Sequence, residues 1–215
     1  MQHPGSDGEA RTSDSPLALR HLLRTAVDAN QLADRQQDLL FSVDCAAKNG
    51  AVPIGLSGHS FGAASVLRLI GERRGQGDIP ADPRVAAAIL FSPSARGGLL
   101  PLAERFASVT LPCLHLTGSL DSGIGPGDIS AHERWLPYLH SASAQKWLLS
   151  QDGATHPELA GDADSPADPA RAAALRAATT AFWLAFLGQD TAAATWLRAH
   201  LPQPEAHPEN TAIRR

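Results

Sequence analysis

The sequence predicts an α/β fold, a mainly parallel sheet flanked by helices, and three observations predict it. Short apolar runs bounded by turn residues recur as "AVPIGLS", "RVAAAILF", "PCLHLTG" and "KWLLS", the way strands buried on both faces read. Stretches of helical spacing lie between these runs. A Gly-x-Ser-x-Gly pattern, made by Gly58, Ser60 and Gly62, stands where the first run gives way to a helical stretch.

Taken in order, the first dozen residues read as loop. Ser15-Pro16 then has the form of an N-cap followed by proline at the first helical position, opening a helix to about Arg24. A stronger helix is expected over 31–48, where Leu39, Leu40, Val43, Ala46 and Ala47 form an apolar stripe and Asn49-Gly50 supplies the stop. "AVPIGLS" is the first strand. Residues 63–73 return to helical spacing, with Ala64, Leu67 and Ile70 on one face. "RGQGDIPADP" is loop, "RVAAAILF" a second strand ending at Ser92-Pro93, and "PCLHLTG" a third. "SAHERWLPYLH" reads as a helix, with Trp135 expected in the core rather than in a site wall, and "KWLLS" as a fourth strand. The stretch "QDGATHPELAGDADSPADP" reads as loop, followed by helices over about 169–187 and 190–200. One domain is expected over 1–201, with a frayed tail over 202–215. There is no internal repeat.

Bulk properties exclude several function classes. With 215 residues, 43% of them hydrophobic and 19% charged, and a net charge of −4, the chain has neither the basic patch of a nucleic-acid binder nor a polybasic membrane anchor. No apolar run approaches the ~20 residues of a membrane span. The polar start "MQHPGSDGEARTSDSP" has no apolar segment and is not a signal peptide, so the chain as written reads as cytoplasmic. Cys45 and Cys113 form no CxxC spacing and read as buried thiols rather than a disulfide.

Chance alone supplies roughly 0.1 Gly-x-Ser-x-Gly matches in a chain of this composition, so the pattern gains its weight from context. Strand before and helix after is the setting of a nucleophile elbow, a turn that presents a serine hydroxyl at the end of a sheet. The serine backbone is strained there, and side chains at Gly58 and Gly62 are expected to collide with the neighbouring strand and helix. The alternative is a plain strand-to-helix turn in which Ser60 is the N-cap.

A serine hydroxyl needs a base to become nucleophilic. Of nine histidines, His59 is adjacent to Ser60 and is expected to point away and pack. His115 reads as a satisfied core histidine. His132 and His140 share one amphipathic helix, and His200 and His207 lie near the tail. His156 sits in the small-residue loop "DGATHPEL" just past the fourth strand, where the base belongs. Asp121, directly after the third strand in "LHLTGSLDS", is the acid that would orient it. Asp128 is held in reserve, and Asp152 is too close in sequence to His156. Active residues of parallel sheets gather at the strands' carboxyl ends, and Ser60, Asp121 and His156 follow the chain order Ser–Asp–His. The loop "SPSARGGLLPL" after the second strand is expected to line the site.

The blocks "GHSFGAAS", "DPRVAAAILFSPS", "LPCLHLTGSLDS" and "DGATHPEL", with the closing "FWLAFLGQDTAAATWL", resemble the dienelactone-hydrolase-like α/β-hydrolases. That group includes bacterial relatives of platelet-activating-factor acetylhydrolase and, more distantly, cutinase-like polyester hydrolases. The resemblance covers nearly the whole chain. It implies an α/β-hydrolase fold, Ser60 as nucleophile, Asp121 as acid and His156 as base. The implied reaction is hydrolysis of a small-molecule carboxylic ester, with no metal or organic cofactor.

The same resemblance places "QHPGSDG" after a fourth strand, so an N-terminal part of the fold is expected to precede Met1. That part would carry the early strands and the His-Gly loop that gives one oxyanion-hole N–H. Within the chain the evident donor is the backbone N–H of Phe61, and removing one donor of such a hole costs about 10²–10³ in rate. "AVPIGLS" is then expected as an exposed sheet edge, covered by the missing segment, by the N-terminal helix or by a homodimer partner. A signal peptide upstream would change the location. Two alternative functions remain at this stage: a catalytically impaired or non-catalytic interaction protein, and a thioesterase or acyltransferase with the same three residues.

Overall fold

The computed structural model describes residues 29–50, 53–75, 77–123, 129–162 and 165–201. The expected helix at 16–24, the stretch "QHPGSDG", Asp128 and the tail beyond 201 lie outside the described residues. The architecture is the expected one, a four-stranded parallel sheet in the order β1-β2-β3-β4 between two layers of helices.

Helix α1 (Ala29–Lys48) turns its Leu39–Leu40–Val43–Ala46–Ala47 stripe onto the sheet. It stops at Asn49, whose amide donates to the Cys45 and Ala46 carbonyls, and at Gly50 with φ 77°. Strand β1 (Ile54–His59) leads through Ser60 into α2 (Phe61–Leu69), which buries Ala63, Ala64, Val66, Leu67 and Leu69. Strand β2 (Val85–Phe91) pairs with β1 and with β3 (Cys113–Leu120). Between them α3 (Leu102–Arg105) is a short helix that begins where the expected loop "SPSARGGLLPL" ends.

The expected helix around Trp135 is a single 3₁₀ turn (His132–Trp135) followed by a short α4 (Leu136–His140). Trp135 is half-buried and stacks on exposed His132 at 6.1 Å, so it is not a core residue. The fourth strand is also longer than expected. β4 (Lys146–Thr155) runs through "QDGAT", with Gly153 at φ 74° where the pairing with β3 becomes irregular. The Ser119 hydroxyl accepts from the Gly153 amide at 2.8 Å and donates to Asp152 at 2.9 Å, which holds the irregularity in place. Helix α5 (His156–Ala160) follows at once, then α6 (Pro169–Phe186) and α7 (Thr191–His200). Asp168 and Asp190 cap the last two helices through their side chains.

The core lies in two halves on opposite sheet faces. One joins Val85, Ala88, Leu90 and Cys113 to α1 and α2, and the other joins Ile89, Leu114, Leu116, Trp147 and Leu149 to α6 and α7. Cys113 is buried, Cys45 is half-buried, and both are free thiols. Among the described residues β1 forms an edge of the sheet, and no helix is long and apolar enough to cross a membrane.

The sheet also continues one residue past two of its strands. The Ser60 amide donates to the Phe91 carbonyl at 2.9 Å, and the Ser92 amide to the Leu116 carbonyl at 2.7 Å. Both serines have positive φ, 54° and 49°.

Candidate active site

Ser60 occupies a tight turn with φ 54° and ψ −111°, a region costly for a residue with a Cβ. Its side chain does not cap α2. The Ser60 hydroxyl instead lies 3.0 Å from His156 Nε2. An N-cap serine would have spent its oxygen on the helix, so the plain-turn alternative does not describe this residue. Gly58 permits the turn, because a Cβ there would come within 2.3 Å of the Gly62 backbone. Gly62 differs from expectation. A Cβ at Gly62 meets nothing within 4 Å among the described residues, since the position lies in the first turn of α2 facing open space. The steric requirement belongs to Gly58 alone.

His156 is the first residue of α5 rather than part of a loop. The Thr155 side chain caps that short helix from the end of β4, and Gly161 closes it at φ 74°. The base candidate is therefore fixed between a strand and a capped turn. Its Nδ1 lies 2.7 Å from Asp121 Oδ1, and the tautomer that serves both contacts carries its proton on Nδ1 and accepts from Ser60 at Nε2. The structure thus brings together the three residues that the sequence analysis selects. Asp152, set aside there, is exposed and bonded to Ser119.

Asp121 is fully buried at the end of β3. Burial alone would raise its carboxyl, but the His156 hydrogen bond first, then the Arg134 charge and the Thr117 hydroxyl among others, outweigh that penalty and hold it below its ordinary value. Thr117 donates to Asp121 Oδ2 at 2.7 Å, and Arg134 Nε lies 3.5 Å from Oδ1. The carboxylate is ionised and held on both oxygens.

Sequence reasoning passes over Arg134 here, and expects of His59 only that it points away from Ser60 and packs. Arg134, on the 3₁₀ turn, is 3% exposed and donates to the carbonyls of Ser92 (2.8 Å) and Asp121 (3.2 Å). No motif signals it, because an arginine in "SAHERW" looks like a solvated helix face. His59 packs its ring on that of His156, and Nε2 is 3.2 Å from the His156 carbonyl oxygen. Burial pushes His59 down to about 4, and the neighbouring His156 adds to the effect. His115 is a core histidine, as expected, but not a satisfied one. Neither ring nitrogen has a hydrogen-bond partner among the described residues, and burial pushes it down to about 3. It packs edge-on to Tyr138.

Phe61 is the first residue of α2, so its backbone N–H has no acceptor within the helix and is available beside Ser60. The Arg35 guanidinium of α1 lies over the Phe61 ring, 5.6 Å from its centre. A cavity of about 500 Å³ opens on the α6 side of β1, lined by Ser57, His59, Phe91, Leu159 and Leu175 among others. His59 therefore faces both this cavity and His156. Among the described residues no cluster of three or more His, Cys, Asp or Glu side chains could hold a metal ion.

The sequence matches no protein-family model and no curated protein. Solved structures do resemble the fold. A polyethylene-glycol complex of a cold-adapted esterase from an Arctic intertidal metagenomic library superposes with a TM-score of 0.50 at 17% identity, over 93% of this chain and 68% of the esterase. The native form of that esterase gives 0.47 at 17% identity, over 89% and 66%. At such identity the likeness shows the architecture, and with the parallel sheet and flanking helices the chain has an α/β-hydrolase fold.

Proposed function

We propose that this protein is a serine hydrolase that cleaves carboxylic esters through an acyl-enzyme on Ser60. One observation carries the reading: His156 stands between the Ser60 hydroxyl at 3.0 Å and the buried Asp121 carboxylate at 2.7 Å. That chain of contacts has the geometry of nucleophile, base and orienting acid. The esterase neighbour and the motif resemblance to the dienelactone-hydrolase-like group support it.

In this mechanism His156 Nε2 takes the Ser60 proton as Oγ attacks the ester carbonyl carbon. The ionised Asp121 stabilises the imidazolium that forms. The carbonyl oxygen becomes an oxyanion, and the Phe61 N–H donates to it. Collapse of the tetrahedral species breaks the bond to the alcohol oxygen, which leaves with the proton from His156. Water, deprotonated by the same nitrogen, then attacks the acyl carbon and releases the carboxylic acid and the free serine. The tight turn at Ser60 presents its Oγ to His156, 3.0 Å from Nε2.

The test is covalent labelling. Wild-type protein reacts with a fluorophosphonate probe and turns over p-nitrophenyl butyrate, whereas Ser60→Ala and His156→Gln do neither. Labelling that persists in Ser60→Ala would show that the nucleophile lies elsewhere.

A further inference from the structure

An arginine on a short polar turn ordinarily keeps its charge in water, and burying it is costly unless every donor finds an acceptor. Arg134 is 3% exposed. Its Nη1 donates to the Ser92 carbonyl at 2.8 Å and its Nε to the Asp121 carbonyl at 3.2 Å, so one planar group spans the ends of β2 and β3. Nε is also 3.5 Å from Asp121 Oδ1, and Nη2 is 3.2 Å from His156 Nδ1. That last nitrogen already directs its proton to Asp121. Two donors cannot bond each other, so the approach of Nη2 is that of a cation to the edge of the base.

We propose that Arg134 is a positioning residue of the hydrolytic site: its buried guanidinium fixes the spacing of the Ser92 and Asp121 turns and aims the Asp121 carboxylate at His156. The inference rests on the roles given above to Ser60, His156 and Asp121. A plain structural plug would need only the two carbonyls. Arg134 adds a charge beside both members of the Asp–His pair, with two opposed electrical effects. It keeps Asp121 ionised, and it opposes positive charge on the imidazole.

The charged and titratable groups facing His156 are Asp121 from β3, His59 from β1 and Arg134 from the 3₁₀ turn. Glu158, on the same helix as His156, is engaged by Arg171 at 2.7 Å. Removing the Arg134 cation lets the coupled pair take up a proton more readily. The acid limb of the pH–rate profile then moves to higher pH.

The experiment compares wild type, Arg134→Met, Arg134→Ala and Arg134→Lys. It measures kcat and KM for p-nitrophenyl butyrate across pH, and the low-field proton NMR signal of the His156 Nδ1–H. In Arg134→Met, kcat is expected to fall by up to about 10²-fold with KM little changed, as for a misplaced catalytic group. The acid limb moves upward and the low-field signal shifts or vanishes. Arg134→Lys restores the limb and part of kcat, and guanidinium ion at sub-denaturing concentration rescues Arg134→Ala. An Arg134→Met protein with wild-type kcat, profile and signal would overturn the proposal. So would a loss that neither lysine nor guanidinium relieves and that tracks a fall in melting temperature. A wild-type protein that neither labels nor shows the signal overturns the reading of Ser60 itself and takes this inference with it.

Discussion

His59 packs in a tilted arrangement on His156, ring centres 4.5 Å apart and planes inclined by 44°, and its Nε2 donates to the His156 carbonyl oxygen at 3.2 Å. The residue before Ser60 thereby clamps the first residue of α5 to the end of β1. Because burial holds His59 down to about 4, it donates as a neutral ring and adds no second cation beside His156 near neutral pH. His59→Phe keeps the packing and loses the donor, while His59→Gln keeps a donor and loses the ring. Each is expected to lower kcat by about 3- to 10-fold, the worth of one hydrogen bond or ring contact. His59→Lys should be worse than either, since a fixed charge opposes the imidazolium. Steady-state kinetics decide, and a lysine variant as active as wild type would contradict the clamp.

The two motif glycines should respond oppositely to alanine. Gly58→Ala drives a methyl group to within 2.3 Å of backbone and is expected to cost at least about 1–3 kcal/mol through overpacking. Gly62→Ala adds a methyl group on a helix that meets nothing within 4 Å among the described residues, and is expected to be neutral or to gain about 0.5–1 kcal/mol. Paired thermal melts check this. Equal losses at both positions would contradict the asymmetry.

Acid should weaken the fold over a defined window. His59 and His115 are held down to about 4 and about 3, below the ordinary histidine value of about 6.5. Between those values the unfolded chain binds more protons than the folded one, so stability is full above about 6.5 and declines as pH falls. Asp121, held below the ordinary carboxylate value of about 3.9, contributes fully above that value. Its contribution is lost as pH falls further, so all three act in one direction. Melting temperature should therefore drop from pH 7 to pH 4, and His115→Phe should narrow the drop. A flat profile for wild type would rule out the histidine contribution.

Glu72 and Arg105 form a buried ion pair, with side-chain exposures of 0% and 2%. Arg105 also donates to the carbonyls of Ala95, Arg96 and Gly97, which ties down the loop after β2. Glu72→Ala leaves a buried cation without its counter-ion and should cost about 3–5 kcal/mol. The double variant Glu72→Met/Arg105→Met should recover most of that loss. Chemical denaturation measures both, and a double variant no better than the single one would contradict the account.

Much of this arrangement is legible in the sequence because its signals are local. A strand buried on both faces must be an apolar run, and the "IGLS" of "AVPIGLS", "VAAAILF", "CLHLTG" and "KWLLS" all fall on strands. Positions at carboxyl ends then narrow the site to Ser60, Asp121 and His156. What escapes the sequence depends on distant partners. β4 continues through the polar "QDG" because β3 pairs with it and Ser119 holds it, and neither partner is visible in that stretch. Arg134 is buried only because the Ser92 and Asp121 carbonyls, 42 and 13 residues away, converge on it. Gly62 misleads for the converse reason: the motif suggests crowding, and the space around a Cβ depends on how α2 leaves the turn.

The amides of Ser60 and Ser92 are each tied to a carbonyl of the next strand, at 2.9 and 2.7 Å. The two left-handed turns at the site are thus extra rungs of the sheet rather than free loops. Such amides exchange with solvent only when the strands beside them part, so the turn bearing Ser60 shares the lifetime of the sheet. Order at this edge should then vanish together with the fold on heating, with no intermediate temperature at which the protein is intact but the Ser60 turn is slack.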